Sequence, residues 1–337
     1  MRIHAVLAGA LALLVCASCT ERKQAVEHNN KGVHYARDGF YDAAVGEFKR
    51  ALAKDGDYAE CRVNLGLVYV KMERWDDALD QFQQAAKDDP DNAEAQFNTG
   101  FAYLEKYLAR KTEMYKAATP PIPVTDLTEE VEKGEEPGMK PAMPAEERKV
   151  ELSASDRENL ARAEEFLKRA VELAPAHSKA NYHLGVAAHE RGDKSGAVRA
   201  FERAIELDRE LIDAYIRLGQ VLHDQGAYDR AIGVYLDAAR IRDKNEYLHN
   251  NLGMAYVEQG KLDRAIESFK KSVKINTGYA TARFNLGMTY AKMDKYLEGM
   301  EHLEMYLQLS KQEEDPERFD QAQQTISILM KKQYGGD

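Results

Sequence analysis

The 337 residues include only three cysteines, Cys16, Cys19 and Cys61, too few for a disulfide framework. Stability must therefore come from packing. Long apolar runs are also missing. The stretch from Ala5 to Val15 is too short to span a bilayer comfortably and has the size of a targeting-segment core. Basic charge is in deficit, with 47 Lys and Arg against 57 Asp and Glu, a net charge of -10 and a pI near 5.5. Nucleic acid, which asks for a basic face against its phosphates, is excluded as the expected partner. The sequence shows neither a phosphate-cradling glycine loop nor a short zinc-ligand pattern. Its nine histidines are scattered, and lone ones such as His223 and His302 read as surface or packing residues. Acidic pairs on helix faces serve solubility and local charge pairing. We expect no enzyme activity, no catalytic residue, no cofactor, no metal and no small-molecule substrate. Proline is scarce and uneven, six of the nine lying between Pro120 and Pro144.

What the chain does have is a 34-residue beat. Glycines recur at Gly32, Gly66 and Gly100, then at Gly185, Gly219, Gly253 and Gly287. Around Gly253 the pattern is Leu252, Gly253, Tyr256, Gly260, Ala265 and Phe269, the alternation of small and large residues that a close helix pair needs. Residues three or four apart share a helix face, so each unit predicts a helix A and a helix B. The units run from about Ala25 to Tyr58 and Ala59 to Asn92, then Ser178 to Leu211, Ile212 to Asn245, Glu246 to Tyr279 and Ala280 to Glu313. In the last of these Gly299 and Leu303 replace the usual small and aromatic pair. A stripe of Phe319, Ala322, Ile326 and Leu329 predicts a final capping helix, part of a cap and tail over 314–337.

The third unit opens through Asn98, Gly100 and Tyr103, and then the period breaks. Residues 110–155 hold the proline cluster, the acidic run Glu129, Glu130 and Glu132, and few large apolar side chains, a composition that does not readily bury a core. The helix-B pattern returns in Ala163, Leu167, Ala170 and Pro175, and the glycine spacing exceeds one period by 51 residues. One reading is a single repeat whose helices, in 25–109 and 156–313, are separated by an insertion; loop closure costs only logarithmically more with length. The other is two repeat domains joined by a linker, one ending near Leu108 and one starting near Asp156.

At the N-terminus, Arg2 and His4 precede the apolar run, and Ala17 and Ser18 precede Cys19. The arrangement resembles the bacterial lipoprotein signal, in which 1–18 is removed and Cys19 becomes the lipidated first residue. Cys16 stands where that family usually has leucine. Thr20 follows the cysteine where lipoproteins retained in the inner membrane often carry aspartate, so the resemblance implies a periplasm-facing address at the outer membrane. An ordinary cleaved signal with a soluble periplasmic product is the alternative. Residues 19–24 would leave only a short tether before the first repeat.

The Leu/Gly/Tyr and Ala/Phe/Ala positions make the repeats resemble the tetratricopeptide (TPR) family over about Ala25 to Glu313 apart from the insertion. That resemblance implies an all-α fold, a TPR α-solenoid in which antiparallel helix pairs stack into a right-handed superhelix. It also implies a protein-binding groove on the concave side. The family pattern places Val63, Leu67, Phe97, Phe101, Tyr182, Val186, Ile216, Met254, Phe284 and Met288 inside it, although such a stripe can equally pack within and between repeats. Asn30, Asn64, Asn98, Asn251 and Asn285 form a second row. An amide both donates and accepts, so these side chains either hold the backbone of an extended partner or tie neighbouring repeats together. His183 and Arg217 take the same place in the middle units.

The combination of signal and repeats implies a non-enzymatic scaffold or adaptor for a bacterial envelope complex, its partner an envelope protein or an extended peptide segment, with contact to the membrane through a lipid anchor. It is also similar to type IV pilus lipoproteins that act as pilotins for a secretin, from whose compact form this chain departs by its insertion and its repeat number. A general periplasmic chaperone or peptide-binding module is a third expectation.

Overall fold

The computed structural model describes residues 2–117, 152–311 and 315–335, with side chains from residue 20 onward except at 115–117. The prolines and acidic run expected to form the insertion, from 118 to 151, lie outside the described residues, as do Glu313 and the side chain of Cys19. Every regular element among the described residues is a helix, fifteen in all.

Contacts divide the chain into two compact units. Among the described residues, the first takes 2–109 and Ala154–Arg191, and the second takes 110–117, 152–153, 192–311 and 315–335. In the first unit, α1 (Arg2–Arg37) pairs with α2 (Tyr41–Lys54), and α3 (Ala59–Lys71) with α4 (Trp75–Asp88). Next come α5 (Ala93–Ala117), α6 (Ala154–Leu173) and α7 (Ser178–Glu190). The second unit starts with α8 (Lys194–Leu207). Three helix pairs follow: α9 (Ile212–Asp224) with α10 (Tyr228–Ile241), α11 (Glu246–Glu258) with α12 (Leu262–Ile275), and α13 (Ala280–Lys292) with α14 (Tyr296–Leu309). The closing helix is α15 (Pro316–Tyr334).

Each pair forms because a glycine on helix A faces a large side chain on helix B. A β-carbon at Gly66 would lie 2.4 Å from the Phe82 ring, and one at Gly253 would lie 2.5 Å from Phe269. Phe82 and Phe269 are fully buried, so the ring fills the space that the missing side chain leaves. Gly32 meets Phe48 and Gly219 meets Tyr235 in the same way. Leucine does the work in the remaining two described pairs: Gly287 meets Leu303, and Gly100 meets Leu167.

The Gly100 contact joins α5 to α6 across residues 118–151. Tyr103 on α5 stacks on Phe166 of α6 at 6.0 Å, and Arg169 donates to Asp91 at 2.9 Å. The two helices therefore meet as helix A and helix B of one repeat. Helix α5 runs on to Ala117, beyond the boundary at 110 read from composition. The segment Arg110–Ala117 is made of good helix formers, and the first backbone block to a helix is Pro120. Likewise α1 is unbroken from Arg2 to Arg37, so residues 19–24, expected as a short tether, are helical.

Turns between A and B require one residue in the left-handed region. Gly39, Gly226 and Gly260 supply it without cost, whereas Glu73 and Asp294 adopt φ of 57° and 56° with a side chain present. At the far end, α15 starts on Asp315, which accepts from the Arg318 N–H, with Pro316 in the first turn. Its Ala322, Ile326 and Leu329 join Phe284, Met300, Leu303 and Tyr306 in one core, so α15 covers the apolar side of the last repeat. Within the second unit the A helices also pack on one another, α9 on α11 and α11 on α13, and α15 on α13 continues the row. The A helices thus form one continuous side of that unit.

Candidate interaction surface

The expected groove residues occupy two positions per repeat, three before and one after the recurring glycine, which fall on one helix face because they are four apart. In the first unit this face gathers aromatic rings. Phe97 and Phe101 of α5 stack on each other at 6.1 Å. His183 of α7 lies edge-on to Phe101 at 4.9 Å, 5.8 Å from Phe97, and edge-on to Tyr182 at 4.9 Å. His177, at the start of α7, packs on Phe97 at 4.7 Å. Phe97 is buried beneath this group, while Phe101, Tyr182 and His183 are partly buried, each keeping some surface open. Leu67, one repeat earlier, is 38 % exposed, an apolar side chain left open on the same helix face.

The two imidazoles play different parts. His177 Nδ1 accepts from the Ala180 N–H at 3.1 Å and so caps α7; its Nε2 then carries the proton and donates toward Glu94 at 3.4 Å. His183 has ring neighbours on several sides. Burial, reinforced by the charges of Lys179 and His177, lowers its pKa from 6.5 to about 4. At neutral pH His183 is an uncharged aromatic surface with a polar edge. His177 was missed in the sequence; its position at a helix N-cap just ahead of Tyr182 and His183 was the available signal.

Several of the predicted groove residues pack inward instead. Val63 sits against Ala85, Ala86 and Ala95 between the second and third repeats, and Val186 is buried. In the second unit Ile216 is buried, and Phe284 belongs to the core beneath α15, 5.1 Å from Tyr306. Met288 packs against that same core, and its sulfur accepts from Thr325. The apolar stripe is therefore covered by the cap at its C-terminal end. Met254 stays half-exposed.

The asparagine row is resolved position by position. Asn64 donates to Asn29 of the preceding repeat at 3.1 Å, and Asn285 donates to Asn250 at 2.9 Å. Both bonds cross a repeat boundary, so these two amides join neighbours. Asn98 is 1 % exposed and turns back to the Glu94 carbonyl at 2.9 Å. It has no room for a partner. Asn251 differs: its oxygen receives a long bond from Asn250 at 3.4 Å, while its own NH2 meets no acceptor among the described residues. Asn30 is exposed. The rule follows from the residue 35 places earlier. Where that residue is Asn29 or Asn250 the amide is used; where it is Val63 or Ile216 there is nothing to receive it.

Cys61 is fully buried, donates to the Phe48 carbonyl at 3.5 Å, and has its thiol pushed up to about 12 by burial, so it is an inert packing residue. Among the described residues no helix is long and apolar enough to cross a membrane.

A family profile described as tetratricopeptide repeat matches residues 35–109, and one described as TPR repeat matches 187–226, 219–260 and 253–294. No curated protein matches the chain. Among solved structures, a tetratricopeptide repeat protein from Parabacteroides merdae is 13 % identical with a TM-score of 0.56, covering 91 % of this chain and 99 % of its own. YrrB, described as a TPR protein with an unusual peptide-binding site, is 17 % identical with a TM-score of 0.47 over 70 % of this chain and 95 % of its own. The Pseudomonas aeruginosa protein pilF is 20 % identical with a TM-score of 0.43 over 54 % and 87 %. At these identities the likeness is one of fold alone.

Proposed function

The chain belongs to the tetratricopeptide repeat family, and from that premise we propose that it is a non-enzymatic scaffold of the bacterial envelope, held at the periplasmic face of the outer membrane through Cys19. Protein or peptide binding is the general role of such repeats, and no catalytic family is indicated. The observation that supports a docking role for this chain in particular is the ring cluster of Phe101, Tyr182 and His183 over Phe97, with Leu67 open on the same face. An uncharged aromatic surface on a rigid helix row suits the apolar side chains of an extended or amphipathic segment of another envelope protein.

The anchor rests on the Ala5–Val15 run and on Ala17, Ser18 and Cys19. Acyl chains add roughly 0.8 kcal/mol for each buried methylene, so several together hold a protein to a bilayer persistently. Helix α1 continues through residue 20 into the first repeat. At about 1.5 Å of rise per residue, an anchor at Cys19 would place Ala25 within ~10 Å of the attachment point, which keeps the first repeat beside the lipid.

Crosslinking in intact cells, followed by identification of the captured proteins, tests both halves. Cys19→Ser is expected to move the protein out of the membrane fraction; unchanged attachment would sink the anchor. Phe101→Glu and Leu67→Glu, checked for retained helicity, are expected to lose the main crosslinked partner, and an unaltered partner set removes the docking reading. Deletion separates the possible machines. Loss of multimeric secretin identifies a pilotin-like role, whereas intact secretin with failed motility, secretion or polysaccharide export identifies a wider adaptor.

A further inference from the structure

We infer that the outer face of α1 lies along an anionic lipid bilayer, with Lys23, Lys31 and Arg37 against its phosphate headgroups. This rests on the lipid anchor proposed at Cys19 and adds to it a second contact and an orientation.

Only one side of α1 is used by the first repeat. Ala25, Asn29 and Gly32 are buried, and the helix packs on α2 and α3 alone. At about 3.6 residues per turn, the opposite side is made of Lys23, Glu27, Asn30, Lys31, His34 and Arg37, all of them exposed. Within an acidic chain this helix is basic. Residues 20–37 hold four Lys and Arg against two Glu, whereas the whole chain has 47 against 57.

The four cations divide by role. Arg22 pairs with Asp55 and lies over the Tyr58 ring at 4.5 Å, so it holds α1 to its own repeat. Lys23, Lys31 and Arg37 make no ion pair or hydrogen bond among the described residues. Nearby acids do not neutralise them. Glu27 stands one turn from both lysines and is bonded to neither, Asp38 faces His34 at 3.5 Å, and Glu21 shares the register of Ala25 and Gly32 on the far side. Asp42 belongs to the first turn of α2.

Apolar side chains gather at the same place. Among the described residues of the first unit four large apolar side chains are exposed, and three of them are Val26 and Tyr35 on α1 and Phe40 in the turn that ends it. Val26 lies on the basic side. Tyrosine and basic residues together suit a bilayer interface, and anionic lipid attracts lysine and arginine that come within a screening length of it.

Register decides the occupant. Position 19 precedes Lys23 by four residues and Val26 by seven, so the proposed attachment point falls on the stripe that carries the free cations. Acyl chains leaving from that stripe bring the bilayer to this face; from the opposite stripe they would bring it to α2. One acyl anchor alone permits any tilt. A basic stripe from Lys23 to Arg37, ~21 Å at about 1.5 Å per residue, holds α1 in the plane of the membrane.

The test inserts the full chain, purified from the membrane fraction, into vesicles of phosphatidylcholine with or without phosphatidylglycerol. Asn30→Cys carries an environment-sensitive fluorophore, quenched by a nitroxide on the lipid headgroup. The same label at Ala53→Cys, on the exposed side of α2, and the unsubstituted chain serve as references. Quenching at position 30 is expected to be about threefold stronger in the anionic vesicles than in the neutral ones, with no difference at position 53. High salt should abolish the difference, and so should Lys23→Glu, Lys31→Glu and Arg37→Glu combined, with circular dichroism unchanged. Equal quenching in both kinds of vesicle, or quenching that survives the three reversals, overturns the inference. Where the chain still floats with both kinds, the anchor stands without it; an unsubstituted chain that floats with neither removes both. Reversals that lose a crosslinked partner while quenching persists assign the stripe to an acidic protein and overturn the lipid contact.

Discussion

The two units are built on one plan yet present different chemistry on their A helices. In the first, the positions flanking the recurring glycine are Leu67, Phe97, Phe101, Tyr182 and His183, and the surface is aromatic and uncharged. In the second, the places three before and one after the glycine hold buried Ile216, Gln220, buried Asn250 and Met254, Arg217 and Asn251 stand at the place of His183, and the last pair, Phe284 and Met288, is packed against the core under α15. The pairing of glycine with a buried ring or leucine is the same in both. The helix-A surface can therefore vary without altering the packing of A on B, because that packing needs only the glycine and the side chain that faces it.

If the scaffold is truly common to both units, removing the buried ring should cost the same in each. Phe82→Ala and Phe269→Ala each delete a fully buried side chain seated against a glycine. We expect each to destabilise the protein by about 3–5 kcal/mol, read by urea denaturation followed by circular dichroism. A loss below ~1 kcal/mol in one unit and not in the other would break the equivalence. Neither substitution touches the faces that differ.

That packing plan was legible in the sequence, and for a simple reason: it depends on contacts within one period. Gly66 and Phe82 sit sixteen residues apart, as do Gly253 and Phe269, so spacing alone announces the pair. Helices α7, α9, α11 and α13 start at Ser178, Ile212, Glu246 and Ala280, the residues at which the period opens each unit. The surface was less legible because it depends on contacts between periods. Asn64, Asn98 and Asn251 look alike in a single repeat, yet one bonds to a neighbour, one to its own helix, and one donates to none of the described residues. The deciding residue lies in the repeat before. Phe284 and Met288 belong to the expected groove stripe yet are covered for a related reason, since α15 has no repeat signature to announce that it takes the place of the next helix A.

The amides offer the next test of the comparison. Asn285→Leu removes a bond across a repeat boundary and leaves buried Asn250 without its partner, which should cost about 1–3 kcal/mol. Asn64→Leu, which takes from buried Asn29 the donor to its side-chain oxygen and leaves its bond with Tyr58, should cost about 1 kcal/mol. Asn251→Leu breaks only the long contact and should change stability by less than ~0.5 kcal/mol. Denaturation midpoints for the three variants decide it. Equal costs at all three positions would mean that the ladder is not interrupted at Ile216, and the distinction between the faces would lose its basis.

The smallest effect separates the units by pH. His183 is held neutral by burial, with its pKa lowered from 6.5 to about 4. Well above pH 6.5 the imidazole is uncharged whether the chain is folded or not, and it contributes no pH dependence. Between pH 6.5 and about 4 the unfolded chain takes up a proton that the folded one refuses, so stability falls as the solution is acidified. His302 in the second unit is shifted in the same direction by burial, which makes the wild-type profile a sum of both. His183→Phe retains the ring contacts with Phe101 and Tyr182 but removes the titration. Its thermal midpoint should decline less steeply than wild type from pH 6.5 to 4 and match its slope above pH 7. A slope unchanged by His183→Phe but flattened by His302→Phe would place the acid-sensitive ring in the second unit and reverse this part of the contrast.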